Sequence, residues 1–304
     1  MFLELAPGQL EWLADVRGLE RTAPDEPLRN YRYAYLPRPA GPPRVIERPK
    51  ARLKAVQRRI LRDILAWVPA HDAAHGFVPG RSALTHAAVH TGRPAVLRVA
   101  LEDFFATVTA GRVYGTFRTA GYPEAVAHAL TGLCTNVVPV VLDAPFPLRR
   151  RLATPHLPQG APTSPALANL AAFMLDRRLA ALGAPYTRYA DDLVFSGPHR
   201  IRGLLAAIAA IARDEGFRVN ARKTRLMSAG GRQTVTGIVV NARPNVPRDE
   251  YDRLKALLHN AARDGPGELD RAHVLGRVAW VASLNPARGE KLRREFAAID
   301  WRAP

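Results

Sequence analysis

Apolar side chains recur along this chain with spacings that predict both helices and short strands. Between residues 53 and 65 they return every three or four positions opposite a basic face, which is typical of an amphipathic helix. The apolar run at residues 95–101 predicts a short buried strand, and residues 112–130 have helical spacing. Ser164 followed by Pro165 predicts the start of a further helix that ends at Gly183.

The second half of the chain begins with a strand–turn–strand pattern at residues 186–195, with Asp191 and Asp192 at the turn. A helix is predicted at residues 201–215, a last strand at 235–240, and only helices beyond Pro247. The first 45 residues predict a helix followed by a loose or extended connection. Because helices and hairpin strands interleave, we expect an α+β architecture with helices on one face of a small sheet.

Net charge narrows the choice of partner. The 304 residues include 44 Lys and Arg against 27 Asp and Glu, which leaves a net charge of +17. This balance favours a polyanionic partner, and nucleic acid is the first candidate. Residues 31–62 hold ten bases and a single acid, Glu47, so we expect the basic helix to contact phosphates rather than only to face solvent.

Composition excludes several classes of protein. With 47% apolar and 23% charged residues the chain is expected to fold, which excludes a disordered basic tail and a collagen-like chain. No apolar run approaches the roughly 20 residues of a membrane span, and the acidic N-terminus differs from a signal peptide, so we predict a cytoplasmic protein without membrane contact. Cys134 is the single cysteine, which excludes an intramolecular disulfide.

Adjacent carboxylates at a turn between apolar strands are the first candidate for chemistry. Burying Asp191 and Asp192 is costly unless a cation or another base neutralises them, and a divalent metal is the first candidate. Neighbouring strand residues point to opposite faces, so a second metal-facing carboxylate must come from another strand. An ordinary polar hairpin turn is the alternative interpretation. The His pairs within residues 71–75 and 86–90 lack Cys or Glu partners and are expected to be packing residues rather than zinc ligands.

Five short blocks occur in the order found in one polymerase family. They are residues 75–82 (HGFVPGRS), 101–105 (LEDFF), 157–165 (LPQGAPTSP) and 189–192 (YADD), followed by Asn220, Arg222, Lys223 and Thr224. With these blocks the chain resembles reverse transcriptases. The block at residues 235–237 (VTG) and the helical residues 284–301 resemble the retron type within that family. A further retron pattern is matched by Ala87 and His90, although His86 stands where that pattern has Asn.

The resemblance implies a right-hand polymerase fold with fingers, a ferredoxin-like antiparallel palm and a helical thumb. We therefore expect an N-terminal helical or extended segment at 1–47 and fingers at 48–94. The palm is expected at 95–246, with fingers elements near 110–155, and the thumb at 247–304. Residues 95–240 are expected to form one antiparallel sheet in which positions 100 and 191 face each other across adjacent strands.

The resemblance also implies RNA-directed DNA synthesis at two Mg²⁺ ions. These would be held by an aspartate at position 100, the backbone of Leu101 and the carboxylate of Asp191, with Asp192 in support. Lys223 is expected to protonate pyrophosphate. Further expected contacts to the incoming deoxynucleotide come from Asp103, Phe105, Gln159 and Arg81, of which Phe105 would exclude a 2′-hydroxyl.

A set of macromolecular partners follows from the same resemblance. It comprises a structured noncoding RNA that serves as template and primer, the cDNA made from it, and a toxin-like effector protein in phage defence. The residues expected to contact RNA are Val235, Thr236, Gly237, Ala87, His90, Arg48, Lys50 and Lys54.

Position 100 departs from the family pattern, because Ala100 stands where that pattern begins with aspartate. Glu102 lies about 6.6 Å further along the strand, at roughly 3.3 Å per residue, which is too far to replace the missing carboxylate. We expect the loss to lower the rate at least about 10²–10³-fold. The other motif residues are intact, which favours an Asp→Ala substitution in an active enzyme over a natural non-catalytic relative. A non-catalytic RNA-binding scaffold is the alternative function.

Overall fold

The N-terminal part consists of short helices and one hairpin that precede a longer helix. The computed structural model describes residues 5–23, 25–37, 43–140 and 148–301. Its first elements are α1 (Pro7–Leu13), α2 (Leu19–Thr22), a 3-10 turn (Glu26–Leu28), β1 (Tyr31–Leu36), β2 (Arg44–Pro49) and α3 (Ala51–Asp63), with a second 3-10 turn at Leu65–Trp67. Strands β1 and β2 pair antiparallel, with Tyr31 opposite Pro49. The expected loose connection is therefore a hairpin in part, and the expected boundary at 47/48 lies inside β2.

A four-stranded antiparallel sheet forms the centre of the molecule. Its strands are β3 (Ala95–Leu101), β4 (Tyr186–Tyr189), β5 (Asp192–Gly197) and β6 (Val219–Ser228), in the order β4-β5-β3-β6. The apolar run in β3 is buried on both faces except at Arg98, which explains why it shows no alternation. The expected strand at 95–101 and the expected strand–turn–strand at 186–195 are both confirmed.

After α3, eight further helices precede the last strand of the sheet in the part of the chain that the structure describes. They are α4 (Ala83–Ala88), α5 (Phe104–Thr107), α6 (Ala110–Thr119), α7 (Glu124–Cys134), α8 (Leu148–Leu152), α9 (Ser164–Ala171), α10 (Phe173–Ala180) and α11 (Leu205–Asp214), the last preceded by a 3-10 helix (His199–Leu204). Together with α3, most of them cover one face of the sheet, where Leu97, Val99, Leu193 and Phe195 join the larger core.

Two expected helices are interrupted. The helix expected at 112–130 divides into α6 and α7 because Gly121 adopts a φ of 90° between them. The helix expected from Ser164 to Gly183 divides at Ala172 into α9 and α10. Ser164 is also not the N-cap, since Thr163 holds that position and the Ser164 hydroxyl donates to the Pro158 carbonyl at 2.7 Å.

The opposite face of the sheet is only partly covered. Val96 and Val194 pack there against α4 and a small hairpin of strands β7 (Thr234–Val235) and β8 (Ile238–Val239). The strand expected at 235–240 is therefore two strands. Thr236 and Gly237 have φ values of 47° and 81°, as a tight two-residue hairpin turn requires. A Cβ at Gly237 would meet no atom within 4 Å, so the turn, not close approach of another group, explains the glycine.

The C-terminal part is helical, as expected. It consists of α12 (Arg248–Asp264), α13 (Arg271–Leu284) and α14 (Pro286–Ala297). Leu254, Leu258, Val278 and Leu292 are buried among them, and Asn285 caps α14 by accepting from the Arg288 N–H at 3.1 Å. No helix in the described ranges is long and apolar enough to cross a membrane.

Candidate active site

The two carboxylates lie at the open end of the sheet. Ala190 has a φ of 54° and turns the chain between β4 and β5, which places Asp191 in the turn and Asp192 at the start of β5. Asp192 is directly opposite Ala100, and the Leu101 N–H donates to the Asp191 carbonyl at 2.8 Å. The expectation that position 100 faces residue 191 needs correction by one residue, because Asp191 lies in the turn next to the residue that faces Ala100.

An arginine already neutralises the second carboxylate. Arg98 lies two residues before Ala100 on the same face of β3. Its Nε donates to Asp192 Oδ1 at 3.1 Å, and its Nη2 donates to Oδ1 at 2.9 Å and to Oδ2 at 2.7 Å. Both oxygens of Asp192 are therefore engaged within the protein. Sequence reasoning missed Arg98, although it is the single charge in an otherwise apolar strand.

Asp191 has no such ion-pair partner among the residues that the structure describes. Burial raises the pKa of Asp191 above its usual value, and the nearby Asp192 raises it further. Lys223 and Arg44 act in the opposite direction, which places both cations within electrostatic reach of this carboxyl group. A cation bound here would offset the repulsion between the two carboxyl groups and so favour the ionised form of Asp191.

The residues present do not fit a site for two divalent ions. Ala100 offers no oxygen from its side chain, and Asp192 is bound by Arg98. Glu102 lies 3.8 Å from Arg151, which also forms a 2.6 Å hydrogen bond to Asp103. Among the residues that the structure describes, no three His, Cys, Asp or Glu side chains are grouped so as to hold a metal ion. Asp191 remains as one carboxylate where a bridged metal pair needs several.

A fully buried ion pair contacts the turn between β4 and β5. Arg188 in β4 donates from Nε and Nη2 to the two oxygens of Asp176 in α10, at 2.8 and 2.7 Å. Its Nη1 donates to Asn169 Oδ1 at 3.0 Å and to the Ala190 carbonyl at 3.2 Å. The Tyr186 hydroxyl completes the cluster with a 2.7 Å bond to Asp176. This network fixes the carbonyl of the residue that precedes Asp191.

The loop at residues 75–82 packs against the same turn. The His75 N–H donates to the Arg188 carbonyl at 2.7 Å, and a Cβ at Gly76 would lie 2.7 Å from the Ala190 nitrogen. Arg81 donates to the carbonyls of Asp72 and Ala74 at 2.6 and 2.7 Å, so its guanidinium is used to shape this loop. These contacts give Arg81 a structural role in the loop, and its expected contact with the nucleotide stays a prediction.

Of the remaining expected nucleotide residues, Phe105 and Lys223 can be related to the carboxylate turn. The ring centroid of half-buried Phe105 lies 6.1 Å from that of exposed Phe77. The Phe77 centroid lies 6.3 Å from that of Tyr189. Strand β6 bulges between its pairings with Arg98 and Ala100, and exposed Lys223 lies in that bulge. A bulge re-aims side chains, which accounts for the electrostatic reach of Lys223 toward Asp191. Gln159 is half-buried in the loop before α9.

Comparison with known proteins gives the family. The model of the family described as reverse transcriptase (RNA-dependent DNA polymerase) matches residues 36–275. The retron Mx65 reverse transcriptase of Myxococcus xanthus is 45% identical over 89% of this chain and 65% of its own length. The retron Mx162 enzyme of the same organism is 36% identical over 98% of this chain and 65% of its own length. This chain is a retron-type reverse transcriptase. It spans about two-thirds of these relatives, 65% of the length in both cases.

Solved structures show the same fold for this reverse transcriptase. A foamy viral protease-reverse transcriptase in complex with double-stranded DNA has a TM-score of 0.51 and 15% identity, over 89% of this chain and 39% of that chain. The telomerase of Candida albicans in complex with a fragment of telomeric RNA also has a TM-score of 0.51, with 12% identity over 88% of this chain and 54% of that chain. The expected right-hand polymerase fold is confirmed.

Several residues that the reverse transcriptase was expected to use on RNA are not accessible. Ala87, His90 and Val235 are each 0% exposed. His90 bonds to the hydroxyls of Thr187 and Ser196 at 2.7 and 2.8 Å, which ties α4 to the sheet. Burial lowers the pKa of His90 to about 3, so this imidazole stays neutral. These three side chains face the interior in this structure, and their expected contact with RNA stays a prediction.

The other expected RNA contacts of the reverse transcriptase are more open. Gly237 and the side chains of Arg48 and Lys54 are exposed, and Thr236 is half-buried at the tip of its hairpin. Lys50 instead donates to the carbonyl of Glu26 at 2.6 Å, which holds the segment before β1. An open groove beside the β1–β2 hairpin is lined by the bases Arg32, Arg48, Lys50 and Lys54.

Proposed function

We propose that this chain has the architecture of a retron-type polymerase that copies a structured noncoding RNA into single-stranded DNA, and that Ala100 disables this activity. The observation that carries the proposal is the position of Ala100, directly opposite Asp192 and one residue from the backbone contact with Asp191. A carboxylate there would join the two others at the same end of the sheet. The phage-defence role and the effector partner implied by the resemblance belong to the same proposal.

We also assign individual roles to the residues that the family resemblance singles out. We assign Asp191 and an aspartate at position 100 to Mg²⁺, and we assign to Asp192 a supporting role through its pairing with Arg98. By the family resemblance, Phe105 would exclude a 2′-hydroxyl, and its ring centroid lies 6.1 Å from that of Phe77. The backbone of Leu101, Gln159, Asp103 and Lys223 would complete the surroundings of the nucleotide and its pyrophosphate.

RNA binding is assigned to the exposed basic surface of β2 and α3. Arg48, Arg52, Lys54 and Arg58 are all exposed there. Because bases that bind phosphates release counterions, binding of a structured RNA should weaken linearly with the logarithm of salt concentration, with a slope of about −3 to −6. Fluorescence anisotropy of the chain as it stands measures this slope. A slope near zero would refute the assignment.

Restoration of the carboxylate is the decisive experiment. Ala100→Asp should yield Mg²⁺-dependent cDNA synthesis, whereas Ala100→Asn, which matches aspartate in size but not in charge, should yield little. The present chain should be at least about 10²-fold less active than Ala100→Asp. If Ala100→Asp binds RNA but makes no cDNA on either the cognate RNA or a simple primer–template, the chain is a non-catalytic RNA-binding scaffold instead.

A further inference from the structure

The one acid in the basic stretch of residues 31–62 is buried. Glu47 is 1% exposed in β2, while its neighbour Arg48 is exposed. Since successive strand residues alternate between faces, Glu47 points toward the interior and Arg48 toward solvent. The Glu47 carboxylate contacts His156, which is 0% exposed and whose Nε2 lies 3.0 Å from Glu47 Oε1.

Hydrogen-bond partners decide how this pair shares its proton. His156 Nδ1 donates to the Thr154 carbonyl at 2.7 Å, because a carbonyl oxygen only accepts. Nε2 and Oε1 must then share one further proton. The other oxygen of Glu47 accepts from Asn136 Nδ2 at 2.7 Å, as an ionised carboxylate does well. Burial by itself lowers the pKa of His156, but the Glu47 carboxylate raises it above its usual value, which favours the imidazolium form of the ring.

The backbone of Glu47 contacts the loop that follows His156. Its N–H donates to the Gln159 carbonyl at 2.9 Å. Gly160 lies so close that a Cβ there would be 2.6 Å from the Glu47 carbonyl oxygen. Glu47 thus contacts three residues of the segment 156–160. Its side chain bonds to His156, its N–H bonds to the Gln159 carbonyl, and its own carbonyl lies against Gly160. Leu157 and Pro158 between these points are buried.

We infer that Glu47 is a positioning residue for Gln159, which it holds by the buried contact with His156 and by the backbone contact at Gln159 itself. The inference rests on the proposed role of Gln159 in nucleotide binding. It follows that β2 and the loop at residues 157–163 move together, so the position of the β1–β2 hairpin determines where the nucleotide binds. Displacement of a substrate-contacting group by about 1 Å is enough to lower a rate strongly.

The first test uses the present chain and does not depend on activity. Hydrogen exchange of peptides covering residues 157–164 should become faster in Glu47→Ala. Glu47→Gln should resemble the parent, because an amide can accept from Asn136 and donate to a neutral His156. Gln57→Ala is the matched control, since Gln57 is also 0% exposed and bonds to Tyr31 and Leu133 but does not contact this loop. Equal exchange in Glu47→Ala and Gln57→Ala would overturn the inference.

If Glu47→Ala does not fold, the double variant Glu47→Leu/His156→Leu replaces it, because removal of both charges leaves none buried without a partner. This variant should also show faster exchange at residues 157–164. An exchange pattern equal to that of the parent would refute the inference.

The second test separates nucleotide binding from chemistry. In the Ala100→Asp chain, Glu47→Ala should raise the deoxynucleotide KM about tenfold with a smaller change in kcat, and Glu47→Gln should restore the KM. Gln57→Ala should leave the KM unchanged. An unchanged KM in an active Ala100→Asp/Glu47→Ala enzyme refutes the inference alone. Absence of activity in Ala100→Asp itself refutes the proposed function, and the exchange experiment then decides the role of Glu47.

Discussion

Replacement of Asp176 by Asn should destabilise the fold far more than an equivalent change at the surface. Asp176 and Arg188 are both 0% exposed, and their ion pair lies beneath the turn that carries Asp191. Asn keeps the shape of the side chain and one acceptor oxygen. It removes the charge and presents an N–H to a guanidinium that can only donate.

The magnitude follows from the contacts that are lost. One charge-assisted bond, from Arg188 Nη2 to Asp176 Oδ2 at 2.7 Å, becomes a contact between two donors. The guanidinium keeps its bonds to Asn169 and to the Ala190 carbonyl, but its charge is left buried without a counter-charge. Removal of one partner of a buried pair costs about 3–5 kcal/mol.

Urea unfolding followed by circular dichroism measures this loss at neutral pH. With a slope of about 3 kcal/mol per M, the midpoint should fall by about 1–2 M. Asp214→Asn is the matched control, because its pair with Arg178 has similar geometry at 2.8 Å but side chains that are 54% and 38% exposed. An exposed pair is worth about 1 kcal/mol or less, so the midpoint should fall by less than about 0.3 M.

A double variant tests whether the uncompensated charge is the cause. Asp176→Leu/Arg188→Met removes both charges and should be more stable than Asp176→Asn, because no ion is then buried without a partner. Equal destabilisation by Asp176→Asn and Asp214→Asn would refute the reasoning. So would a double variant that is less stable than Asp176→Asn.

Three further predictions concern pH and backbone geometry. The raised pKa of Asp191 means that its ionised form opposes folding, so stability falls as pH rises from the usual value of 3.8 through the higher folded pKa. Asp191→Asn should therefore raise the melting temperature at pH 7 but not below about pH 3.8, and no gain at pH 7 would contradict this. The raised pKa of His156 means that its pair with Glu47 stabilises fully below pH 6.5 and progressively less as pH rises through the folded pKa. His156→Gln should flatten this part of the stability profile, as thermal unfolding between pH 6 and 9 will show. Gly237→Ala should cost about 1 kcal/mol because φ is 81°, whereas Gly237→Asn should cost less, and calorimetry that finds no difference would argue against the turn.

The sequence by itself determined the parts of this protein that local pattern encodes. The apolar run of β3, the hairpin around Asp191 and the helical end beyond Pro247 are all as expected. The motif blocks also gave the family and, with it, the fold, although their spacing alone did not. Local pattern failed at turns: Gly121 and Gly237 adopt positive φ values and divide elements that hydrophobic spacing joined.

Accessibility of the expected RNA contacts was decided by tertiary structure. Motif matching selected Ala87 and His90 because they fit a pattern, but the helix turns both toward the sheet. A match to a motif does not show whether a side chain faces a partner or the core, because a residue in either role occupies the same position in the motif.

Only the tertiary structure decided which charges are paired. Arg98 meets Asp192 and Glu47 meets His156, each across about a hundred residues of sequence, at separations of 94 and 109 positions. No local pattern specifies such partners, because a charged side chain in sequence looks the same whether it is solvated or buried. Burial makes the difference physically: once water is excluded, a charge is tolerated only where an opposite charge or several hydrogen bonds replace its hydration, and the fold alone brings those groups together.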